Sequence, residues 1–230
     1  MDYDGELVAG TIVRVVGNLI FDIKKTNGEI EPAFCGAIEL AEMSNAGMPV
    51  LLTQSSDESR IIKQNVLFVK TTEGWIFADP KYNRALFREA FALKKITEFA
   101  QYDDYHELQS QEAGGIDFVL SNAKGEKAWV FVTSIYHKKG EFATFPQKIN
   151  FFEIKTLEAL QQKIKNREKA YILMIAPRED CAKAQFVWDI DASAAAAMYD
   201  AHHSGVNFLC YGCKIEDNSI SLDKSLEIVY

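Results

Sequence analysis

Two apolar segments near the middle of the chain, residues 115–118 and 129–133, carry the residue types and spacing that could support chemistry. Asn122 and Gly125 between them are typical turn residues, so the stretch predicts a β-hairpin. Many metal-dependent nucleases place an aspartate on the first strand of such a hairpin and an acid-x-Lys pair on the second. Side chains two residues apart share one face of a strand, so these three groups are expected to face one another.

Asp117 matches the aspartate of this pattern, but Phe131 and Thr133 occupy the positions of the acid and the lysine. In an intact site the carboxylates hold a divalent cation and the lysine stabilises charge beside the attacked phosphate. Phe131 cannot ligate a metal, and Thr133 offers a hydroxyl without positive charge. Because preorganised electrostatics is usually the largest catalytic contribution, the pattern predicts that ordinary nuclease chemistry is lost.

Glu153 and Lys155 follow the hairpin at the start of a predicted helix and offer an alternative. If they reach the same pocket, they replace the missing acid and lysine as migrated catalytic groups. A capping box with Asn150 as the cap explains Glu153 without a catalytic role. Lys155 falls on the charged face of the helix, and we interpret it as surface charge.

Asp117 and Glu107 also have structural interpretations. Asp117 lies between Ile116 and Phe118, and a carboxylate in an apolar strand is costly to bury without a partner. It could hydrogen-bond to a neighbouring strand end, and Glu107 could be ordinary surface charge. A metal site with Asp117 as its main ligand would bind Mg²⁺ weakly, because such sites rely on several oxygen ligands. Both interpretations stay open from the residues alone.

The elements that must position these residues fall into two predicted domains. In residues 1–82, about five alternating apolar segments are separated by turn residues such as Asn27-Gly28. This pattern predicts a small β-barrel of the oligonucleotide/oligosaccharide-binding (OB) kind. Residues 83–230 predict strands separated by helices, hence a mixed sheet with helices on both sides. The fold class is therefore α/β within this domain, and α+β overall.

The charge balance limits the affinity for nucleic acid. The formal net charge of the 230 residues is −8, which argues against generic, salt-driven binding to phosphates. A local basic groove is still compatible with this charge, and scattered surface charge is the alternative. The candidate nucleic-acid-binding residues are Arg14, Lys24 and Lys25 in the barrel, and Lys138, Lys139 and Lys148 beside the hairpin.

Two further patterns bear on location and on metal binding. No apolar run approaches the length of a bilayer span, and residues 1–6 are acidic rather than a positively charged leader, so we expect no membrane partner and a cytoplasmic location. Cys210 and Cys213 form one CxxC pair, which is only half of a zinc site. We predict that the cysteines are buried instead.

Over nearly its whole length the chain resembles the sugar fermentation stimulation protein A (SfsA) family. The residues that carry the resemblance are Glu107, residues 116–120, Phe145-Pro146, residues 153–160 and residues 205–208. The resemblance implies an N-terminal OB-like barrel, a C-terminal domain like that of restriction endonucleases with a PD-(D/E)XK motif, DNA binding, and a proposed nuclease activity.

The polar signatures of the family are largely missing from this chain. Its first carboxylate matches Glu107, and the Asp of its Ser-Arg-Ile-Asp-Phe motif matches Asp117, although Gly114-Gly115 replaces Ser-Arg. Its Glu-Val-Lys falls on residues 131–133, so the acid and the lysine are replaced. In its Glu-Arg-Gly-x-Lys-His signature only Lys155 is kept. The resemblance thus implies that Glu107 and Asp117 are remnants of a catalytic site.

These observations predict a catalytically impaired protein that binds DNA or RNA on a nuclease-like scaffold, a pseudoenzyme that could serve a regulatory role. The first alternative is an active nuclease that uses Asp117, Glu107 and the migrated Glu153 and Lys155, with Mg²⁺ or Mn²⁺ as cofactor. A weaker alternative is a protein-interaction module, which only the acidic balance supports. The oligomeric state stays open, a homodimer included.

Overall fold

The computed structural model describes residues 1–3, 6–109, 114–147 and 151–230, without the side chains of Phe151 and Phe152. The chain divides into two units. The first contains Met1–Tyr82, Pro177–Asp180 and Lys214–Ile220, and the second contains Asn83–Ala176, Cys181–Cys213 and Ser221–Tyr230. The domains 1–82 and 83–230 stay a prediction, since this division does not show that either part folds independently.

The first unit is built around a closed β-barrel. Its elements are β1 (Val8–Val16), β2 (Ile20–Lys25), β3 (Ile30–Cys35), α1 (Ile38–Met43), β4 (Pro49–Gln54), β5 (Gln64–Lys70) and β6 (Trp75–Phe77). β1 pairs with β2 and β4, β2 with β3, and β5 with β4, all antiparallel, while β3 and β5 are parallel. The barrel closes in the order β1-β2-β3-β5-β4-β1, with α1 between β3 and β4. This is the OB topology, so the predicted barrel is confirmed.

The alternation of side chains explains why these segments form a barrel. Ile12, Phe21, Ile23 and Ala33 are at most 1% exposed, and the residues between them point outward. The turn between β2 and β3 contains Gly28 at a φ of +90°, a conformation that favours glycine.

The second unit contains a mixed sheet flanked by helices, as predicted. The elements that lie in it, wholly or for the most part, are α2 (Asn83–Ala92), β7 (Asp104–Glu107), β8 (Phe118–Ser121), β9 (Lys127–Ser134), β10 (Lys138–Lys139), β11 (Phe142–Phe145), α3 (Phe151–Lys165), β12 (Lys169–Ala176), β13 (Lys183–Phe186), α4 (Ala192–His203), β14 (Asn207–Glu216), β15 (Ser219–Ser225) and β16 (Glu227–Val229). The end of β14 and the start of β15 belong to the first unit. The large sheet has the order β15-β14-β12-β9-β8-β7, and a smaller sheet has the order β10-β11-β13-β16. β9, β12 and β14 are parallel, whereas β7, β8 and β9 form an antiparallel meander.

Helices cover the two faces of the large sheet differently. On one face, Phe87 of α2 stacks on Phe118 of β8 with ring centroids 4.2 Å apart. On the other, Leu160 of α3 and Met198 of α4 join Ile172 of β12 in one hydrophobic cluster. Because α2 lies on the face opposite this cluster, helices cover the sheet on both sides.

The cysteines are buried, as predicted, and all four are free thiols. Burial raises the pKa of the Cys35 thiol to about 12, and it also raises the pKa of the Cys210 thiol. A thiol with a raised pKa is a poor nucleophile and a poor metal ligand near neutral pH. None of the described helices combines the length and the apolarity needed to cross a bilayer.

Candidate functional site

The predicted hairpin is formed by β8 and β9 in the second unit. Phe118 pairs with Val130, and Ser121 pairs with Lys127 across the turn that contains Gly125. Phe131 and Thr133 lie on one face of β9 and are both partly exposed, in alternation with buried neighbours. Positions 131 and 133 therefore share a face of β9, whereas their assignment as the lost acid and lysine stays a prediction.

Asp117 lies just before β8 and carries a buried carboxylate, with the residue 8% exposed. Its Oδ2 accepts a hydrogen bond from the backbone N–H of Val132 at 2.8 Å. Its Oδ1 accepts one from Nε of Arg84 at 2.9 Å, and Nη2 of the same guanidinium lies 2.8 Å from Oδ1. Both oxygens of the carboxylate therefore have protein partners.

Glu107, the last residue of β7, shares this arginine. Its Oε1 accepts a hydrogen bond from Nη1 of Arg84 at 3.0 Å, and its Oε2 accepts one from Nη1 of Arg88 at 2.8 Å. Nη2 of Arg84 also donates to the backbone carbonyl of Leu108 at 2.9 Å. One guanidinium thus bridges Asp117 and Glu107, the two predicted remnants of a catalytic site.

Helix α2 places the two arginines. Arg84 and Arg88 are four residues apart, so they project from the same side of the helix. The stacking of Phe87 on Phe118 holds α2 against the hairpin, and the guanidinium carbon of Arg84 lies 5.8 Å from the centroid of the Phe118 ring. The first residue of α2 is also anchored, because Oγ of Ser134 donates to Oδ1 of Asn83 at 2.8 Å.

Arg84 and Arg88 were not predicted from the sequence as site residues. Their spacing at the start of an amphipathic helix was the available signal, but it does not reveal a partner. Arg84 lies 23 residues from Glu107 and 33 from Asp117 along the chain, so only the fold brings them together. Arg84 is consequently a candidate functional residue that the structure adds.

The charge at this site is balanced by arginine. The planar guanidinium of Arg84 lies between the two carboxylates, with two of its nitrogens on Oδ1 of Asp117 and the third on Oε1 of Glu107. Among the residues that the structure describes, no group of three or more His, Cys, Asp and Glu side chains is arranged to hold a metal ion. The role of Asp117 as a metal ligand stays a prediction.

The pKa of Asp117 reflects two opposed influences. Burial raises it above the ordinary value of an aspartate, and the hydrogen bonds from the backbone of Val132 and the side chain of Arg84 partly lower it again. The net direction is upward, so removal from water outweighs the charge of the arginine.

This direction predicts how stability depends on pH. Because the folded-state pKa of Asp117 exceeds the unfolded value of about 3.9, its contribution is fully present below that pH and is lost as the pH rises through the raised pKa. We expect the free energy of unfolding of the wild type, relative to Asp117→Asn, to fall as the pH rises from about 4 towards neutrality. Urea unfolding of both proteins across this range measures the difference. If the free energy of unfolding of the wild type instead rises relative to Asp117→Asn, Arg84 lowers the pKa of Asp117 by more than burial raises it.

Phe131 packs into the apolar side of the sheet. It pairs with Ile172 of β12 and lies against the cluster that includes Leu157 and Leu160 of α3. The prediction that Asp117 faces positions 131 and 133 is wrong, because Asp117 does not continue the alternation of the strand: β8 begins one residue later, at Phe118. The carboxylate of Asp117 is bonded to α2 and to the β9 backbone, while the Phe131 ring belongs to the cluster of α3 and α4.

The Gly114-Gly115 pair, which replaces Ser-Arg of the family motif, has a packing role. Both glycines have positive φ, +63° and +90°. A Cβ on Gly115 would lie 2.0 Å from Oγ1 of Thr156, and one on Gly114 would lie 3.0 Å from Cβ of Ala159. Only glycine permits this turn to approach α3 so closely.

The migrated candidates lie in the first turns of α3, beside this glycine turn. Glu153 is partly buried and Lys155 is exposed. Their catalytic role stays a prediction. The cap Asn150 and the candidate Lys148 fall outside the residues that the structure describes.

The remaining cationic candidates lie at separate places in the two units. In the first unit, Arg14 is paired with Asp22 at 2.6 Å, Lys24 is exposed beside them on β2, and Lys25 is paired with Glu31 at 2.5 Å. In the second unit, Lys138 and Lys139 form the short strand β10. Arg14 and Lys24 therefore lie on one face of the barrel. Lys25 forms an ion pair with Glu31 instead.

Comparison with known proteins places the chain in a family. The family model described as "Sugar fermentation stimulation protein RE domain" matches residues 81–219. Similar curated proteins are the sugar fermentation stimulation protein homologs of Paramagnetospirillum magneticum, 26% identical over 98% of this chain and 97% of the relative, and of Maricaulis maris, 26% identical over 99% and 98%. The solved structure of Pyrococcus furiosus SfsA in complex with Ca²⁺ has a TM-score of 0.85 at 16% identity, covers 100% of this chain and 98% of that chain, and shows the same fold. This chain belongs to the sugar fermentation stimulation protein family.

Proposed function

We propose that this protein binds DNA on a nuclease-like scaffold and does not cleave it, because arginine holds the acid pair of the site. The observation that carries the proposal is the bridge from Arg84 to Asp117 and Glu107, with contacts of 2.8 to 3.0 Å. A cation would have to displace this guanidinium before it could use either carboxylate.

The second strand of the hairpin supports the same conclusion. Phosphodiester hydrolysis needs positive charge where negative charge develops. Thr133 carries none, and Phe131, which the resemblance aligns with the second acid of the family motif, is a partly buried aromatic residue. An aromatic ring in place of the acid removes a possible metal ligand. It adds apolar contacts with the hydrophobic cluster instead.

Binding to DNA is supported by the OB topology of the first unit and by the family. The OB barrel is a fold that often binds oligonucleotides, although the fold alone does not establish function. We infer that this chain has kept DNA binding and lost DNA cleavage. Contacts to phosphates need only surface cations, whereas cleavage needs the complete hairpin motif.

One observation favours the alternative of an active nuclease. Because a single guanidinium reaches both carboxylates, Asp117 and Glu107 are close enough to share one cation if Arg84 moves away. The related Pyrococcus furiosus structure is a Ca²⁺ complex, which makes divalent cations the ions to test on this chain. In that alternative, Glu153 and Lys155 replace the lost pair.

A mobility-shift assay with fluorescent single-stranded and duplex DNA, in the presence of Mg²⁺ or Mn²⁺, tests the proposal. We expect retarded complexes that weaken as salt is raised, with the DNA intact after prolonged incubation. Cleavage that Asp117→Ala abolishes would contradict the proposal and support the alternative. If neither form of DNA is bound at low salt, the resemblance is informative about the fold alone, and a protein partner becomes the candidate.

A further inference from the structure

One face of the OB barrel combines aromatic, apolar and cationic side chains. Three rows of outward-pointing residues cross β1, β2 and β3 in register, and we call this surface the outer barrel face. The rows are Val16-Ile20-Phe34, Arg14-Asp22-Pro32 and Thr11-Lys24-Ile30. The residues between them, Phe21 and Ile23 among them, point into the barrel and are buried.

Phe34 is the aromatic residue of the outer barrel face, and a guanidinium lies over its ring. Arg60 comes from the loop between β4 and β5, with its guanidinium carbon 5.4 Å from the ring centroid. Its Nη1 donates to Oδ1 of Asn65 at 2.8 Å, and Asn65, which pairs with Phe34 in register, is only 6% exposed. A buried amide therefore holds the planar cation over the ring. Aromatic rings and guanidinium planes are the groups on which nucleobases stack.

The outer barrel face differs in charge from the chain as a whole. Its three rows carry two cations, Arg14 and Lys24, and one carboxylate, Asp22, which is paired with Arg14, in a chain whose formal net charge is −8. Arg60 adds a cation beside them, with Asp57 of its own loop near enough to interact with it. Its apolar residues are also unusually open, with Ile30 57% and Val16 44% exposed. Positive charge beside an open apolar surface suits a ligand that has phosphates and unstacked bases.

We propose that the outer barrel face binds single-stranded nucleic acid, with one unpaired base stacked against Phe34 and Arg60 and the phosphates beside Lys24 and Arg14. This inference rests on the proposed function, to which it adds the ligand class and the place of binding. A duplex keeps the faces of its bases stacked on one another, so stacking on Phe34 requires a single strand. Binding here is independent of the carboxylates of the hairpin.

Fluorescence anisotropy with a labelled oligodeoxythymidine of about 15 nucleotides, a length within the range of OB-fold sites, tests the assignment. We expect Phe34→Leu to weaken binding about tenfold, since base stacking contributes about 1 to 3 kcal/mol and 1.4 kcal/mol is tenfold. Leucine keeps apolar volume at this position, and an unchanged melting temperature verifies the fold. The matched control is Trp188→Leu, which removes a ring that is 52% exposed in the second unit, and it should bind like the wild type.

A second variant separates phosphate contact from stacking. Lys24→Gln should lower the slope of log K against log salt by about 0.7, the value for one phosphate contact on a single strand, whereas Phe34→Leu should leave the slope unchanged. If the wild type binds the oligonucleotide and Phe34→Leu binds equally well, or if Trp188→Leu weakens binding as much, the assignment to the outer barrel face is wrong while the proposed function stands. If the wild type binds neither single strands nor duplex, the proposed function itself fails.

Discussion

Replacing Arg84 with methionine is expected to lower the free energy of unfolding by about 2 to 4 kcal/mol. The change keeps the apolar stem but leaves Asp117, whose side chain is 12% exposed, without its charged partner, and it removes a donor from Glu107. Removing one partner of a buried ion pair lowers the stability more than replacing both partners with apolar residues, because the remaining charge is left buried without compensation. Urea unfolding at neutral pH measures the effect.

Arg88→Met is the matched control for this change. Arg88 projects from the same side of α2, but its side chain is 42% exposed and pairs with Glu107. Exposed ion pairs contribute about 0 to 1 kcal/mol, so the control should be only slightly destabilised. Equal losses for the two variants would contradict the central position given to Arg84.

Arg84→Met has a second expected consequence. If the guanidinium occupies the place of a cation, its removal leaves two neighbouring carboxylates that a divalent cation can neutralise. Ca²⁺ or Mn²⁺ should therefore raise the melting temperature of Arg84→Met while leaving that of the wild type unchanged. An equal response of both proteins would show that arginine does not compete with cations at this site.

The double change Phe131→Glu with Thr133→Lys is expected not to restore Mg²⁺-dependent cleavage of DNA, because Arg84 still holds Asp117 and Glu107 in this variant. Both residues lie on one face of β9, so the new pair has the spacing of the family motif. We expect a stability loss of about 2 to 4 kcal/mol, because the Phe131 ring packs into the cluster with α3 and α4 and a carboxylate there is costly. Cleavage is measured on labelled DNA over several hours.

The control for the double change is Phe131→Gln with Thr133→Met. It alters the packing at the same two positions without adding an acid or a cation, so it should be destabilised and inactive. Mg²⁺-dependent cleavage by a folded acid-x-Lys variant, with none by this control, would contradict the claim that Arg84 keeps the site inactive.

Much of the fold could be predicted because local patterns specify it. Alternation identified the barrel strands, and the turn residues Asn122 and Gly125 identified the hairpin of β8 and β9. The barrel is closed by the parallel pairing of β3 with β5. These two strands are separated in the chain by α1 and β4, so no local sequence pattern predicts that they pair. The small sheet was missed because its strands have only two to four residues, too few to show a period.

The candidate site could be predicted only in part. Asp117 and Glu107 were found because they match a motif, whereas Arg84 follows no motif and meets them only through the packing of α2 on β8. Gly114-Gly115 looked like a lost signature, and its close approach to Thr156 became visible only in three dimensions. Sequence reasoning thus located the acids, and the fold revealed what neutralises them.

The most direct test of the account is the cleavage arm of the DNA-binding assay, run with the wild type and Asp117→Ala side by side at saturating Mg²⁺ or Mn²⁺. The account predicts that both proteins bind the labelled DNA and that neither cuts it beyond the background without protein. Cleavage by the wild type that Asp117→Ala abolishes would contradict the account and assign Asp117 to a working active site.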